Sequence, residues 1–192
     1  MSLKCQENSF IRKATKSDSK GITDCLFLAL ETFLCKFIGV NDSVKAKHML
    51  LHFVNEENNQ YSFQNCYVAE IDGMIAGAIN SYNGAHLNAL KRPIANFIQH
   101  QIGTDFNPEP ETTDGEYYID SFGILPRFQG KGIGTQLLKH LIHEHRTQNR
   151  VLGLLVEENN QKAETLYLAL GFKWIKNQAL AGKNMRHLQL KP

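Results

Sequence analysis

"DSFGILPRFQGKGIGTQLLKHLIHEH", residues 120–145, decides how the rest of the chain is read. A strand-like run ends at Ile124, and Gly130, Gly132 and Gly134 follow at alternate positions. Ile133, Leu137, Leu138, Leu141 and Ile142 then recur at helical spacing. So much backbone freedom in one short segment needs a reason. A helix N-terminus carries unpaired amides and the positive end of the helix dipole, and glycines let that backbone close on an anion with no Cβ in the way. Residues 130–135 therefore read as a diphosphate cradle. The plainer alternative is a glycine-rich turn that ends a strand.

The common nucleotide loops do not fit. The pattern Gly-x4-Gly-Lys-Ser/Thr fails because Gly132 follows Lys131. The dinucleotide fingerprint Gly-x-Gly-x-x-Gly finds Gly130 and Gly132 but Thr135 in third place. Five residues, Pro126 among them, separate Ile124 from Gly130, whereas that fingerprint turns directly off its strand. Only 35 residues follow Glu157, the one suitable downstream acid, too few for the remaining strand–helix–strand units.

Outward from this stretch, Glu116–Ile124 is the best strand, and Val151–Val156 a short apolar one of the fully buried kind. Ser9–Lys13 can start a strand, and Asp18 can cap a helix carrying Ile22, Leu26, Leu30, Phe33, Leu34 and Phe37. Val44–Val54 fits a second helix. Cys66–Ile71 and Met74–Ile79 flank Asp72-Gly73 as a hairpin. Residues 85–102 read as helical, with Pro93 a kink or a break. Residues 104–115 form an acidic, proline-bearing loop whose Glu109, Glu111 and Asp114 would attract cationic substrates. A helix follows over 160–170, closed by Gly171, and strands at Phe172–Ile175 and Met185–Leu190 complete the chain. This order predicts an α/β (α+β) layered fold, a mixed sheet with helices on both faces. At 192 residues it is read as one domain, 1–192.

A formal net charge of +2, without a run of five basic residues, argues against a nucleic-acid partner. Cys5, Cys25, Cys35 and Cys66 form no Cys-x-x-Cys pair and read as free thiols in a reducing cytoplasm. The N-terminus lacks the apolar core of a signal peptide, and no segment reaches the roughly 18 apolar residues of a membrane span. His140, His143 and His145 lack an evident further ligand, so they read as a polar helix face and no metal is expected.

The segment "ILPRFQGKGIGTQLL" resembles motif A of the GCN5-related N-acetyltransferase (GNAT) superfamily, read as Gln129-x-x-Gly132-x-Gly134 or Arg127-x-x-Gly130-x-Gly132. "VEENNQKAETLYLALGF", residues 156–172, is similar to motif B through Asn160, Ala163, Leu166, Tyr167, Gly171 and Phe172. The resemblance covers nearly the whole chain. It implies a mostly antiparallel sheet of six to seven strands with splayed central strands, an acceptor-side half over 8–115 and an acetyl-CoA-binding core over 116–175. It further implies acetyl-CoA as co-substrate, and a primary amine of a small molecule or peptide as acceptor. Homodimers are a common habit of the family, so a homodimer is among the expectations.

Carried onto this chain, the resemblance assigns the CoA diphosphate to Gln129, Gly130, Lys131, Gly132, Ile133, Gly134 and Thr135. The pantetheine arm falls to Phe122, Gly123 and Ile124, and further cofactor contact to Asn160 and Tyr167. Tyr167 would protonate the departing thiolate, since a phenol is protonated at neutral pH yet acidic enough to give a thiolate its proton. Its alternative is a core aromatic, and that of Asn160 a helix cap. For the base, strand alternation places Glu116, Tyr118, Asp120, Phe122 and Ile124 on one face, which makes Glu116 and Asp120 the candidates. Each has the alternative of a hydrogen-bonded carboxylate at a strand edge. Asp24 and Glu31 read as solvated helix carboxylates more than pocket residues. The family branch that acetylates ribosomal protein N-termini carries a glutamate on the following strand, where this chain has Leu155. A non-catalytic CoA-binding sensor is the rival reading; it would need neither Tyr167 nor a strand carboxylate.

Overall fold

The computed structural model describes residues 10–39, 41–103 and 108–192. Seven strands lie in one sheet: β1 (Phe10–Lys13), β2 (Cys66–Ile71), β3 (Met74–Asn83), β4 (Tyr117–Ile124), β5 (Leu152–Glu157), β6 (Lys173–Leu180) and β7 (Lys183–Leu190). Their order is β1-β2-β3-β4-β5-β7-β6, antiparallel throughout except between β4 and β5. Helices α1 (Ser19–Phe37), α2 (Ser43–Asn55) and α3 (Leu87–Ile102) contribute to a core on one face. Helices α4 (Ile133–Thr147) and α5 (Gln161–Ala169) pack on the other. The hairpin shows why two cores form: Val68 and Ala78 point into the first, Ala69 and Ile79 into the second, as strand alternation dictates.

The expected α/β layering, strand count and two-sided helices are all present. Ser9, Cys5 and residues 104–107 of the acidic loop lie outside the described residues. Three expectations shift. Asp18 does not cap α1 with its side chain; its carboxylate bonds Thr15 and Arg12 in the turn before the helix. Pro93 does not break α3, because Ile94 and Ile98, both fully buried, hold that helix on the core despite the missing amide. Strand β6 runs on to Leu180 rather than stopping at Ile175. Residues Lys173–Asn177 are exposed at the sheet edge, so no apolar alternation marked the strand.

Two departures from ideal pairing make the functional geometry. Strands β4 and β5 pair only over Tyr117–Ile119 and Leu152–Leu154, and beyond that they separate. The expected splay is therefore present, and it leaves one edge of β4 without a strand partner from Asp120 onward. The second departure is a bulge: Asn80 pairs with Ser121 and Ser81 with Ile119, so Asp120 has no partner in the register. The bulge corrects the single-face reading of residues 116–124. Tyr118 stays on the side of Tyr82, but Phe122 and Ile124 turn to the α4 face, and Gly123 turns to α1. A Cβ on Gly123 would stand 1.9 Å from the Cys25 carbonyl oxygen, so only glycine lets α1 approach so closely.

Candidate active site

The fork between β4 and β5 opens into the main cleft, about 1190 Å³ including space open to solvent. Asp120, Ser121 and Phe122 line it from β4, Leu155 and Glu157 from β5, and Asn160 and Tyr167 from α5. Two of the three predicted catalytic residues, Asp120 and Tyr167, thus share one cavity.

Asp120 sits at the centre of a buried polar cluster. Its Oδ2 accepts from Gln60 Nε2 at 2.6 Å and from the Tyr82 hydroxyl at 3.0 Å. The same Gln60 nitrogen lies 2.6 Å from Glu111 Oε1, and Glu111 in turn pairs with Lys91. Asp120 Oδ1 reaches hydrogen-bond geometry with no described group, although the Ser121 hydroxyl lies close enough to favour the anion. Burial first and the Glu111 charge second push the Asp120 carboxyl up from 3.8 to about 6, against the donors Gln60, Tyr82 and Ser121.

Tyr167 is held by packing. Its ring meets Phe172 edge to face at 5.9 Å, and burial raises the phenol to about 12. It is a core aromatic and a cleft residue at once, so the two sequence readings describe the same side chain. Asn160 likewise does both: its Oδ1 accepts from the Ala163 amide as the cap of α5, and the residue lines the cleft.

The glycine stretch lies between the end of β4 and α4. Gly130 and Gly132 adopt φ +75° and +80°, with open space where a Cβ would be, and Gly132 directly precedes the first turn of α4. The amides of Ile133 and Gly134, at that helix start, have no acceptor among the described residues. Gly134 is needed for another reason, since a Cβ there would come within 2.9 Å of the Phe122 ring. Gln129 is exposed, and its Nε2 donates to the Ile124 carbonyl at 2.9 Å, which ties the loop to the strand end. Lys131 Nζ lies 5.6 Å from the Phe128 ring centroid. The residues present, a glycine-opened helix start with amides unpaired among the described residues, fit a diphosphate.

Glu116 is not brought to the cleft. It immediately precedes β4, only 4 % exposed, and accepts from Thr112 Oγ1 at 2.6 Å and Gln189 Nε2 at 2.7 Å, with His187 Nε2 at 2.9 Å. Burial pushes this carboxyl up, but its three partners outweigh burial and hold it below 4.5. A Cβ on Gly153 would strike it at 1.9 Å, so Gly153 makes room for the carboxylate. Asp24 pairs with Lys20 and Lys47, and Glu31 with Ser43; neither lines the main cleft.

Gln60, Tyr82 and Lys91 escaped the sequence reading. Gln60 ends a polar stretch without period, and Tyr82 lies past the expected end of its strand. Glu111 was expected to face solvent; instead it is 5 % exposed and neutralised by Lys91, while Glu109 accepts from the Ala181 amide. Of the three acidic-loop carboxylates, Glu109 and Asp114 stay exposed and Glu111 does not.

A half-split sheet with a carboxyl and a phenol in its fork, beside a glycine-opened helix end, suits an acyltransferase. The chain belongs to the acetyltransferase (GNAT) family, whose model matches residues 40–172, and it is an N-acetyltransferase of that family, which uses acetyl-CoA. A stretch of 58 residues is 38% identical to N-alpha-acetyltransferase RimI of Mycobacterium tuberculosis, covering 30% of this chain and 35% of that protein. The fold matches an N-acetyltransferase from Staphylococcus aureus Mu50 at a TM-score of 0.84 and 22% identity, over 94% of this chain and 100% of that one. It also matches the ribosomal-protein-S18-alanine N-acetyltransferase of Escherichia coli at 0.56 and 15%, over 96% and 94%. No described helix is long and apolar enough to cross a membrane.

Proposed function

We propose that this chain acetylates a primary amine of a small molecule or peptide, with acetyl-CoA as donor, Asp120 as base and Tyr167 as acid. The observation that carries the reading is their placement in one cleft, a carboxylate poised near neutrality and a phenol held protonated. When bound, acetyl-CoA supplies an acyl group activated as a thioester. The amides at the start of α4, opened by Gly130 and Gly132, would hold its diphosphate. The unpartnered edge of β4 over Phe122–Ile124 offers backbone groups to an extended arm, as an added strand would use them, and an amide near Ile124 would polarise the acyl carbonyl.

The acceptor arrives as an ammonium and must lose a proton before it attacks. The Asp120 carboxyl, which lines the cleft, takes that proton. The Tyr167 hydroxyl gives a proton to the departing thiolate. Glu116, fully engaged with Thr112, His187 and Gln189, holds the start of β4 in place and is not the base in this reading. Leu155 supports no glutamate-based mechanism of the ribosomal-protein type. Free thiols at Cys25, Cys35 and Cys66 suit the reducing cytoplasm as its compartment.

The test is release of CoA, followed by a thiol reagent, from acetyl-CoA and a panel of amines. Turnover with at least one amine supports the reading. Tight acetyl-CoA binding without release on any amine sinks it in favour of a CoA-binding sensor.

A further inference from the structure

The acceptor end of the cleft has a composition of its own. Helix α1 presents Ala29, Phe33 and Phe37 to it at successive four-residue intervals, one stripe of a helix, and Leu180 and Met185 face it from the β6–β7 hairpin. This wall is pinned in place. Lys36 Nζ donates to the Ala181 carbonyl in the hairpin turn, the Ala181 amide donates to Glu109 of the loop, and Lys183 Nζ stands 4.6 Å from the Phe33 ring centroid. Helix, hairpin and loop are therefore tied to one another around an apolar surface.

The charges lining the cleft are few, and all but one are matched. Glu111 is bound to Lys91, and Glu157 to Lys183. Among the described residues, Asp120 is the lining carboxylate with no cation paired to it. An ammonium thus finds a single anionic acceptor. A second ammonium, as in a polyamine, would meet carboxylates already neutralised, and a free carboxylate, as in an amino acid, would meet lysines already paired. Desolvating either unmatched charge against apolar side chains is unfavourable.

On the assignment of Asp120 as base given above, we infer that the acceptor is a primary monoamine carried on an uncharged apolar group, with Phe33 the residue that selects it. An aralkylamine and a peptide with an apolar N-terminal residue share this chemistry. The apolar group lies on Phe33 and Phe37, and the amine reaches the Asp120 carboxyl. No atoms are exchanged beyond the acetyl transfer itself: Asp120 takes one proton from the ammonium and passes it to solvent, the N–C bond forms as the C–S bond breaks, Tyr167 gives its proton to the thiolate, and the second proton lost by the amine nitrogen restores Tyr167.

Initial rates of CoA release are measured with phenethylamine, hexylamine, spermidine and free lysine, and with tripeptide amides beginning in Phe or in Asp. Phenethylamine or the Phe peptide is expected to exceed spermidine, lysine and the Asp peptide in kcat/KM by roughly tenfold or more, the discrimination an apolar pocket provides. The leader of those two distinguishes a small-molecule from a peptide source. Phe33→Ser is expected to raise the KM for the leading amine by roughly tenfold while the Kd for acetyl-CoA stays the same, and Phe33→Leu is expected to recover most of the loss. The melting temperature of each variant reports folding. A ranking led by spermidine, lysine or the Asp peptide overturns this inference alone, as does a Phe33→Ser enzyme that folds and keeps its KM. Acetyl-CoA binding with no release on any amine overturns the acetyltransferase assignment with it.

Discussion

Asp120 and Glu111 share one donor: Gln60 Nε2 lies 2.6 Å from Asp120 Oδ2 and 2.6 Å from Glu111 Oε1. An amide nitrogen has two hydrogens, so one goes to each carboxylate, and the Tyr82 hydroxyl, within 3.2 Å of Glu111 and 3.0 Å of Asp120, donates to only one of them. The two acids are therefore held close by design of the cluster, with Lys91 matching the charge of Glu111 alone. That asymmetry leaves Asp120 as the member available for proton transfer.

Activity should rise with pH through an acid limb near 6, because Asp120 works as a base only when ionised. Stability should move oppositely. The folded Asp120 binds its proton near pH 6 and the unfolded one near 3.8, so between those values the folded chain holds a proton that the unfolded chain lacks. Its contribution to stability therefore grows as pH falls through that window. Rate profiles and melting curves from pH 4 to 8 check both signs.

Glu111→Gln removes the second cause of the raised Asp120 value. The acid limb of kcat/KM should shift below its wild-type position. The same change leaves Lys91 without its counter-charge, so the melting temperature should fall. An unmoved acid limb would show that Glu111 does not influence Asp120.

Glu116→Gln should act on stability and not on the pH profile. Its buried carboxylate takes three partners, and weakening them costs about 1–3 kcal/mol. Because those partners hold Glu116 below 4.5, wild-type stability from this site is complete above that value and is lost as pH falls beneath it. Denaturant melts at pH 7 measure the loss. A displaced acid limb in the activity profile would instead make Glu116 the base.

Gly132→Ala should destabilise the chain by about 1 kcal/mol and raise the Kd for acetyl-CoA. At φ +80° the open space around Gly132 does not relieve the strain, since it lies in the backbone of an L-residue. Calorimetric titration with acetyl-CoA and a denaturant melt separate the two effects.

The features legible in the sequence were those written in local chemistry. Asp72-Gly73 announced a hairpin, Gly130 and Gly132 a turn before a helix, and Asn160 a helix cap, because each is dictated by a residue's own backbone or side chain. Features set by register were not legible. Alternation counted from Glu116 placed Phe122 on the face of Asp120, but the bulge at Asp120 shifts every later residue by one and sends Phe122 to α4. Glu116 and Asp120 share strand parity, and nearness to the cofactor segment made Asp120 the stronger candidate for the cleft. What removes Glu116 from it was not legible, since His187 and Gln189, some seventy residues later, close around that carboxylate. Glu111 looked like a solvent-facing charge for the same reason: its partner Lys91 comes from another segment.

The central claim rests on Asp120 and Tyr167 serving as base and acid around one fork in the sheet. The most direct measurement is thiol-detected CoA release at pH 7.5 by wild type, Asp120→Asn and Tyr167→Phe, beside acetyl-CoA binding to all three. The account predicts that both variants bind acetyl-CoA like wild type and lose roughly 10²–10⁴-fold in kcat, the ordinary contribution of a positioned proton-transfer group. Undiminished turnover by either variant would contradict it.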